Sequence, residues 1–208
     1  RDSLIVLQGA SWADYQRILE LRGEHASPRI AFLEGALQLA SPSRRHDFVK
    51  SMLGRLVEAW CMEHETDVTP YGSWTLENKE AERGVEPDEC YVVGDDPDPT
   101  QPDLAIEVVI TSGGVDKLEI YRKLGVREVW FWEAGQLSLH ALRGEAYESI
   151  AASELLEGID LAQLLRALHL ERALAGGDVA GHVEAGYEHQ PQHDDEAQRE
   201  DGDDALAL

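Results

Sequence analysis

The spacing of apolar positions along the chain changes several times, and each change marks an element. Tyr15, Ile18, Leu19 and Arg22 recur at helical spacing behind Ser11-Trp12-Ala13-Asp14, with Ser11 as the cap and Asp14 at the capping-box position. Arg29–Leu33 and Leu37–Leu39 alternate around Glu34-Gly35, which predicts a β-hairpin. After the turn Ser41-Pro42-Ser43, the stripe Val49, Leu53, Leu56, Val57 and Trp60 predicts a long helix over about His46–Glu65. Strands are expected over Val68–Leu76, kinked near Gly72, and over Val85–Val93, with a charged loop from Asn78 to Gly84 between them. Leu104–Ile110 is almost wholly apolar, as suits a central strand buried on both faces. Ser112-Gly113-Gly114 turns into a helix over about Val115–Leu124, closed by Gly125. Val126–Trp132 and Leu137–Leu142 read as strands, Tyr147 begins a short extension, and Ser153–Leu156 and Leu161–Leu174 read as helical.

This order predicts an α/β fold, a mixed β-sheet flanked by helices, over residues 1–174. Residues 175–208 have few apolar positions and many Asp, Glu, Gln and His, so a disordered acidic tail is expected there. His182, His189 and His193 belong to that tail and read as solvated rather than metal-binding. The net charge is −23; from Gly176 onward ten acidic residues face one Arg, nine of those charges, which leaves −14 for the rest. A basic nucleic-acid footprint is therefore absent, which counts against a passive DNA-coating role and less against a metal-dependent nuclease whose site is acidic until a cation arrives. No apolar run approaches the roughly 20 residues of a membrane span, and no signal pattern opens the chain, so a cytoplasmic address is expected. Cys61 and Cys90 lack metal-type spacing and read as buried structural thiols.

The chemistry gathers between Glu86 and Lys117, where charged residues interrupt apolar strands: Glu86-Pro87-Asp88 opens one, and Asp103-Leu104-Ala105-Ile106-Glu107-Val108-Val109 spans the next. Buried charge is costly and needs a reason. Residues 103 and 107 share one strand face, so either could meet Asp88 across the sheet. Magnesium takes a few carboxylates plus waters and phosphate oxygens rather than a closed protein cage. Asp88 and Glu107 meet that need, with the Val108 carbonyl as third ligand. Lys117, on the following helix, is in range to orient or deprotonate an attacking water and offset phosphate charge. The plain alternative is a turn-starting Asp88 and a Glu107 paired with an arginine.

Val85-Glu86-Pro87-Asp88-Glu89-Cys90-Tyr91, Pro102-Asp103-Leu104-Ala105-Ile106-Glu107-Val108, Thr111-Ser112, Asp116-Lys117-Leu118-Glu119-Ile120-Tyr121 and Leu124-Gly125-Val126-Arg127-Glu128-Val129-Trp130, in that order, resemble the Uma-two family of restriction-endonuclease-like proteins. That family lies in the PD-(D/E)xK nuclease superfamily. Gly35–Ser43 followed by His46-Asp47 also resembles the segment before the family's first core helix, and the likeness covers about residues 11–172. The resemblance implies a restriction-endonuclease-like core and Mg²⁺-dependent hydrolysis of DNA phosphodiesters, with Mn²⁺ as a substitute. It implies Asp88 and Glu107 as metal ligands and His46 near the site, towards a phosphate. The superfamily lysine usually sits two residues after the glutamate; that position is Val109 here, and the family pattern moves the lysine to Lys117. Glu34 and Gln38 stand where relatives often carry acidic residues. A homodimer is one natural way to cut both strands. The alternative to an endonuclease is a catalytically inactive binding or regulatory module on the same fold.

Overall fold

The structure, a computed structural model, describes residues 2–175. The expectation of a disordered tail falls, from residue 176 on, outside the described residues. The chain builds β1 (Ser3–Gln8), α1 (Trp12–Arg22), β2 (Arg29–Leu33), β3 (Ala36–Ser41), α2 (Arg44–Glu63), β4 (Val68–Pro70), β5 (Leu76–Asn78), β6 (Arg83–Val85), β7 (Glu89–Val93), β8 (Leu104–Val109), α3 (Lys117–Leu124), β9 (Glu128–Glu133), β10 (Gln136–Arg143), β11 (Ala146–Ile150) and α4 (Leu161–Ala175). The expected α/β class with helices flanking a mixed sheet is what forms, with a second sheet beside it. One sheet has the order β1-β3-β2-β6-β5 and is antiparallel throughout; the other has the order β11-β10-β9-β8-β7-β4, with β8 and β9 parallel.

Local chemistry accounts for most of the boundaries. Ser11 and Asp14 form the reciprocal capping box of α1. Glu34 and Gly35 take φ of 44° and 89°, the paired left-handed residues of a tight two-residue hairpin between β2 and β3. Ser43 caps α2 through the His46 N–H, and Asp116 caps α3 through Glu119 N–H. Gly125, with φ of 77°, closes α3 in the left-handed conformation.

Several expectations are corrected. Val68–Leu76 is not one strand: β4 ends at Pro70, Gly72 turns with φ of 58°, and β5 joins the other sheet. Val85–Val93 is likewise two strands in different sheets, and Glu86-Pro87-Asp88 is the crossing between them. Arg83 and Gly84, expected in a loop, begin β6. Ser153–Leu156 is a turn, not a helix; the Ser153 hydroxyl accepts from Leu156 N–H at 2.9 Å, and Glu128 accepts from Glu154 N–H at 3.0 Å. Its leucines fill the core without helical periodicity. β1 is not among the expected strands: Ser3–Gln8 is a short run with no polar–apolar alternation, although Gly9, with φ of 75°, turns the chain directly after it.

The second sheet is covered on one face by α2 and α4. Leu53, Val57, Leu104, Ile106, Trp130, Leu164 and Leu168 form that core. Ala105, Val129, Ile120 and Tyr121 fill its other face together with Ala31 and Val85 of the first sheet. β8 thus alternates between two cores, as its unbroken apolar run predicts. α1 packs Tyr15 against Ile30, Phe32 and Leu37 on the outer face of the first sheet. Trp130 and Trp132 are core residues. Both cysteines are buried, as expected, and free.

The α1 face is closed tightly. A Cβ on Gly84 would overlap the ring and hydroxyl of the fully buried Tyr15. Gly84→Ala is therefore expected to cost about 1–3 kcal/mol in urea unfolding, whereas an unchanged midpoint would mean that α1 moves away freely.

Candidate active site

β7 and β8 are antiparallel with Glu89 opposite Ile106. One further step along the same register sets Asp88 opposite Glu107, with both side chains on one face. The next step sets Pro87 opposite Val108. Pro87 has no N–H to give, so the ladder stops and the Val108 carbonyl lacks a donor from its partner strand. The Val108 N–H instead reaches Asp88 Oδ2 at 2.8 Å. A strand residue's N–H and C=O point to the same edge, so the Val108 carbonyl lies on the Asp88 side. The two carboxylates are 1% and 0% exposed.

Each carboxylate is held by two side chains. Glu107 Oε2 accepts from Lys117 Nζ at 2.5 Å, and Oε1 accepts from the Tyr121 hydroxyl at 2.5 Å. Lys117 and Tyr121 are one α-turn apart on α3, so a single helix face delivers both. Lys117 is the first residue of α3 rather than a turn into it, as its cap Asp116 defines. Asp88 Oδ1 accepts from His46 Nε2 at 2.9 Å and faces Arg29 Nε at 3.5 Å. His46 Nδ1 lies 3.0 Å from Asp2 Oδ2. A carboxylate against each ring nitrogen favours the imidazolium form, in which both nitrogens donate.

Burial alone would lower His46, but the hydrogen bonds and charges of Asp88 and then Asp2 outweigh it and hold the ring above its ordinary value. Burial likewise pushes Asp88 up, yet the His46 hydrogen bond and the Lys117, His46 and Arg29 charges pull it well below the carboxylate range. For Glu107 burial wins: Lys117 opposes it, the Asp88 charge adds to it, and the group is held above its ordinary value.

The sequence-expected Asp88, Glu107, Lys117, His46 and Val108 are thus brought together. Asp103 is not with them; it accepts from Val93 N–H at 2.9 Å and pairs with Arg127 at 3.1 Å, at the far end of the ladder. Glu34 meets Arg83 at 2.7 Å at the hairpin tip, outside the site. Gln38 is 5% exposed, and its Oε1 accepts from Val115 N–H at 2.8 Å, which ties the loop before Lys117 to β3. Sequence reasoning missed Tyr121, Arg29 and Asp2; only Tyr121 carried a signal, its four-residue spacing from Lys117. A cleft of about 300 Å³, lined by Gln38, His46, Val108, Gly114 and Lys117, opens over the cluster. A recess of about 30 Å³ beside it reaches Asp88.

The donor set suits a hard cation. Two carboxylates and one backbone carbonyl leave the remaining positions to water and phosphate, and each carboxylate oxygen has lone pairs beyond its present bonds. Among the described residues no three His, Cys, Asp or Glu side chains form a metal-holding group.

The pH dependence follows from the two shifts. The Asp88 contribution to stability is present above its unfolded value near 3.8 and is lost as pH falls through the lower folded value. The His46 contribution is complete below about 6.5 and is lost as pH rises through the higher folded value. In chelator, the melting-temperature gap between wild type and His46→Gln should be widest over roughly pH 4–6.5 and narrow on the alkaline side, by about 2–4 °C per kcal/mol. A gap that stays constant from acid to alkaline pH would mean that the ring is neutral throughout.

No curated protein matches the chain. A solved structure from Anabaena variabilis, described as "a putative nuclease belonging to DUF820", superposes with a TM-score of 0.54 over 72% of this chain and 96% of its own, at 12% identity. At that identity the likeness speaks to the fold: this chain has the fold of that protein. The family model Uma2, described as "Putative restriction endonuclease", matches residues 12–175. On that match, which spans most of the sequence, the chain belongs to the Uma2 family.

Proposed function

We propose that this protein is a divalent-metal-dependent endonuclease that hydrolyses DNA phosphodiesters, with Mg²⁺ as the physiological cation and Mn²⁺ as a substitute. The observation that carries the reading is the Lys117–Glu107 contact at 2.5 Å, set opposite Asp88 where the β7–β8 ladder stops and a cleft opens. Asp88, Glu107 and the Val108 carbonyl would hold the cation. Bound there, the metal supplies Lewis-acid charge and a more acidic water.

The chain's own groups do the rest. Tyr121 fixes the Glu107 carboxylate from one oxygen while Lys117 engages the other. The lysine ammonium, half-buried at the cleft, orients the attacking water and offsets charge that grows on the phosphate. His46 and Arg29 set the orientation of Asp88, and the imidazolium adds positive charge at the recess. Buried donors that are already in place need no reorganisation as charge develops, which is where most of the rate enhancement arises. No described helix is long and apolar enough to cross a membrane. The reading sets the protein among cellular DNA in the cytoplasm, acting as a homodimer where both strands are cut.

The test is cleavage of supercoiled and linear DNA with Mg²⁺ or Mn²⁺, beside calorimetry of metal binding. Asp88→Asn and Glu107→Gln should lose both metal binding and cleavage, the latter by about 10²–10³-fold or more. Lys117→Met should keep the metal and lose cleavage. If the wild type binds metal and cuts no DNA, the catalytically inactive binding module is the correct reading; if it does neither, both readings fail.

A further inference from the structure

Among the described residues β1 is the outer strand of the first sheet, with β3 on one side and no strand on the other. Native sheets blunt such edges with lysine, proline, bulges or covering loops, because the free N–H and C=O groups invite another strand. β1 carries neither residue: its sequence is Ser3-Leu4-Ile5-Val6-Leu7-Gln8, and from Ser3 to Trp12 there is no ionisable side chain, in a chain that is 28% charged. Ile5 and Leu7 project from it at 56% and 48% exposure. Their register partners are Leu39 and Leu37, so they extend the apolar row that α1 covers further in.

We infer that β1 pairs antiparallel with β1 of a second copy of this chain across a twofold axis, joining two five-stranded sheets into one of ten strands. Three observations choose a second copy over another partner. An antiparallel pairing of one strand with itself is isologous and needs no other surface. Two chains of net charge −23 repel, and this uncharged edge is where they can approach without stacking like charges. The backbone register also fits. In the two-residue hairpin, Leu33 and Ala36 close the turn by bonding each other, so in β3 the residues Leu37, Leu39 and Ser41 bond towards β1. Their partners Leu7, Ile5 and Ser3 are thereby used, and Leu4, Val6 and Gln8 present their N–H and C=O outward. A twofold at Val6 sets Val6 opposite Val6 and Leu4 opposite Gln8, each able to exchange both backbone bonds. It also sets Ile5 opposite Leu7 twice, burying both exposed side chains against their counterparts. Leu4 and Val6 lie on the face of Ala40 and Gln38, which line the cleft, so the two clefts open on the same face of the joined sheet.

This pairing stands on the strand alone and does not require catalysis. The experiment is light scattering on the size-exclusion eluate of the full chain, with the pair Ile5→Lys and Leu7→Lys as the variant. The wild type should elute as a dimer, twice 23.1 kDa, and the double variant as a monomer with an unchanged circular dichroism spectrum, since both side chains are exposed. A wild type that stays monomeric at about 50 µM, or a double variant that stays dimeric, overturns the inference. The register has its own test. Cys61 and Cys90 are buried, so Val6→Cys is the accessible thiol among the described residues, and facing Val6 positions at about 5.5 Å between Cα atoms are within disulfide reach. Mild oxidation should give a covalent dimer with Val6→Cys and none with the wild type; a dimer that does not crosslink would place the interface elsewhere. A DNA-cutting monomer would sink the pairing and leave the nuclease reading intact, and an inactive dimer would do the reverse.

Discussion

Two carboxylates facing each other in a dry interior are the constraint around which this molecule is arranged. Asp88 and Glu107 are essentially unexposed, and left alone at that depth neither would hold a charge. Each neighbouring element contributes something that makes the pair tolerable. α3 begins with Lys117 and continues to Tyr121, α2 begins near His46, β2 begins with Arg29, and β1 is preceded by Asp2. These elements converge by their ends, where side chains can reach inward and where backbone groups not used by helix or sheet are at hand. The compensation is uneven. Asp88, with three cationic groups around it, is held in its charged form, whereas Glu107 remains strained towards protonation.

The dipeptide Pro87-Asp88 explains why the pair lies where it does. Proline terminates the β7–β8 ladder, and the chain crosses at that point from one sheet to the other. The aspartate next to it accepts the Val108 N–H, while the proline, with no N–H to give, leaves the Val108 carbonyl without a partner from β7. One substitution-sensitive step thus creates a free carbonyl, a bridging carboxylate and the join between two sheets. The burial of Glu128, which accepts from the Trp130 indole and anchors residues 154 and 155, and of Arg83, which binds Glu34, has a different character. Those charged groups tie loops down and lie outside the cleft.

Much of this was legible in the residues themselves. The capping box at Ser11, the Glu34-Gly35 hairpin, the α2 stripe and the two-sided β8 run are local signals, fixed by neighbours a few positions away. Asp88, Glu107 and Lys117 stood out because charge in an apolar run is conspicuous. What stayed hidden depends on distant partners. Nothing near Val85–Val93 says that its two halves join different sheets, because Pro87 reads equally as a strand opening and as a break. Arg29 and Asp2 look like ordinary surface residues until the fold brings them 58 and 44 residues along the chain to Pro87 and His46. Gln38 looked like a missing carboxylate; its amide oxygen turns out to be engaged by a backbone N–H from the loop ahead of α3.

That last bond has a mechanical meaning. Gln38 belongs to the first sheet and Glu107 to the second, and the loop it grips is the one that carries Lys117. The lysine therefore acts like the pointer of a gauge, mounted on one sheet and read against a mark on the other. Sliding between the two sheets would act directly on that short ion pair. Whatever grips the outer strands of the first sheet thus holds, at a distance, one end of the ruler by which the cluster is aligned.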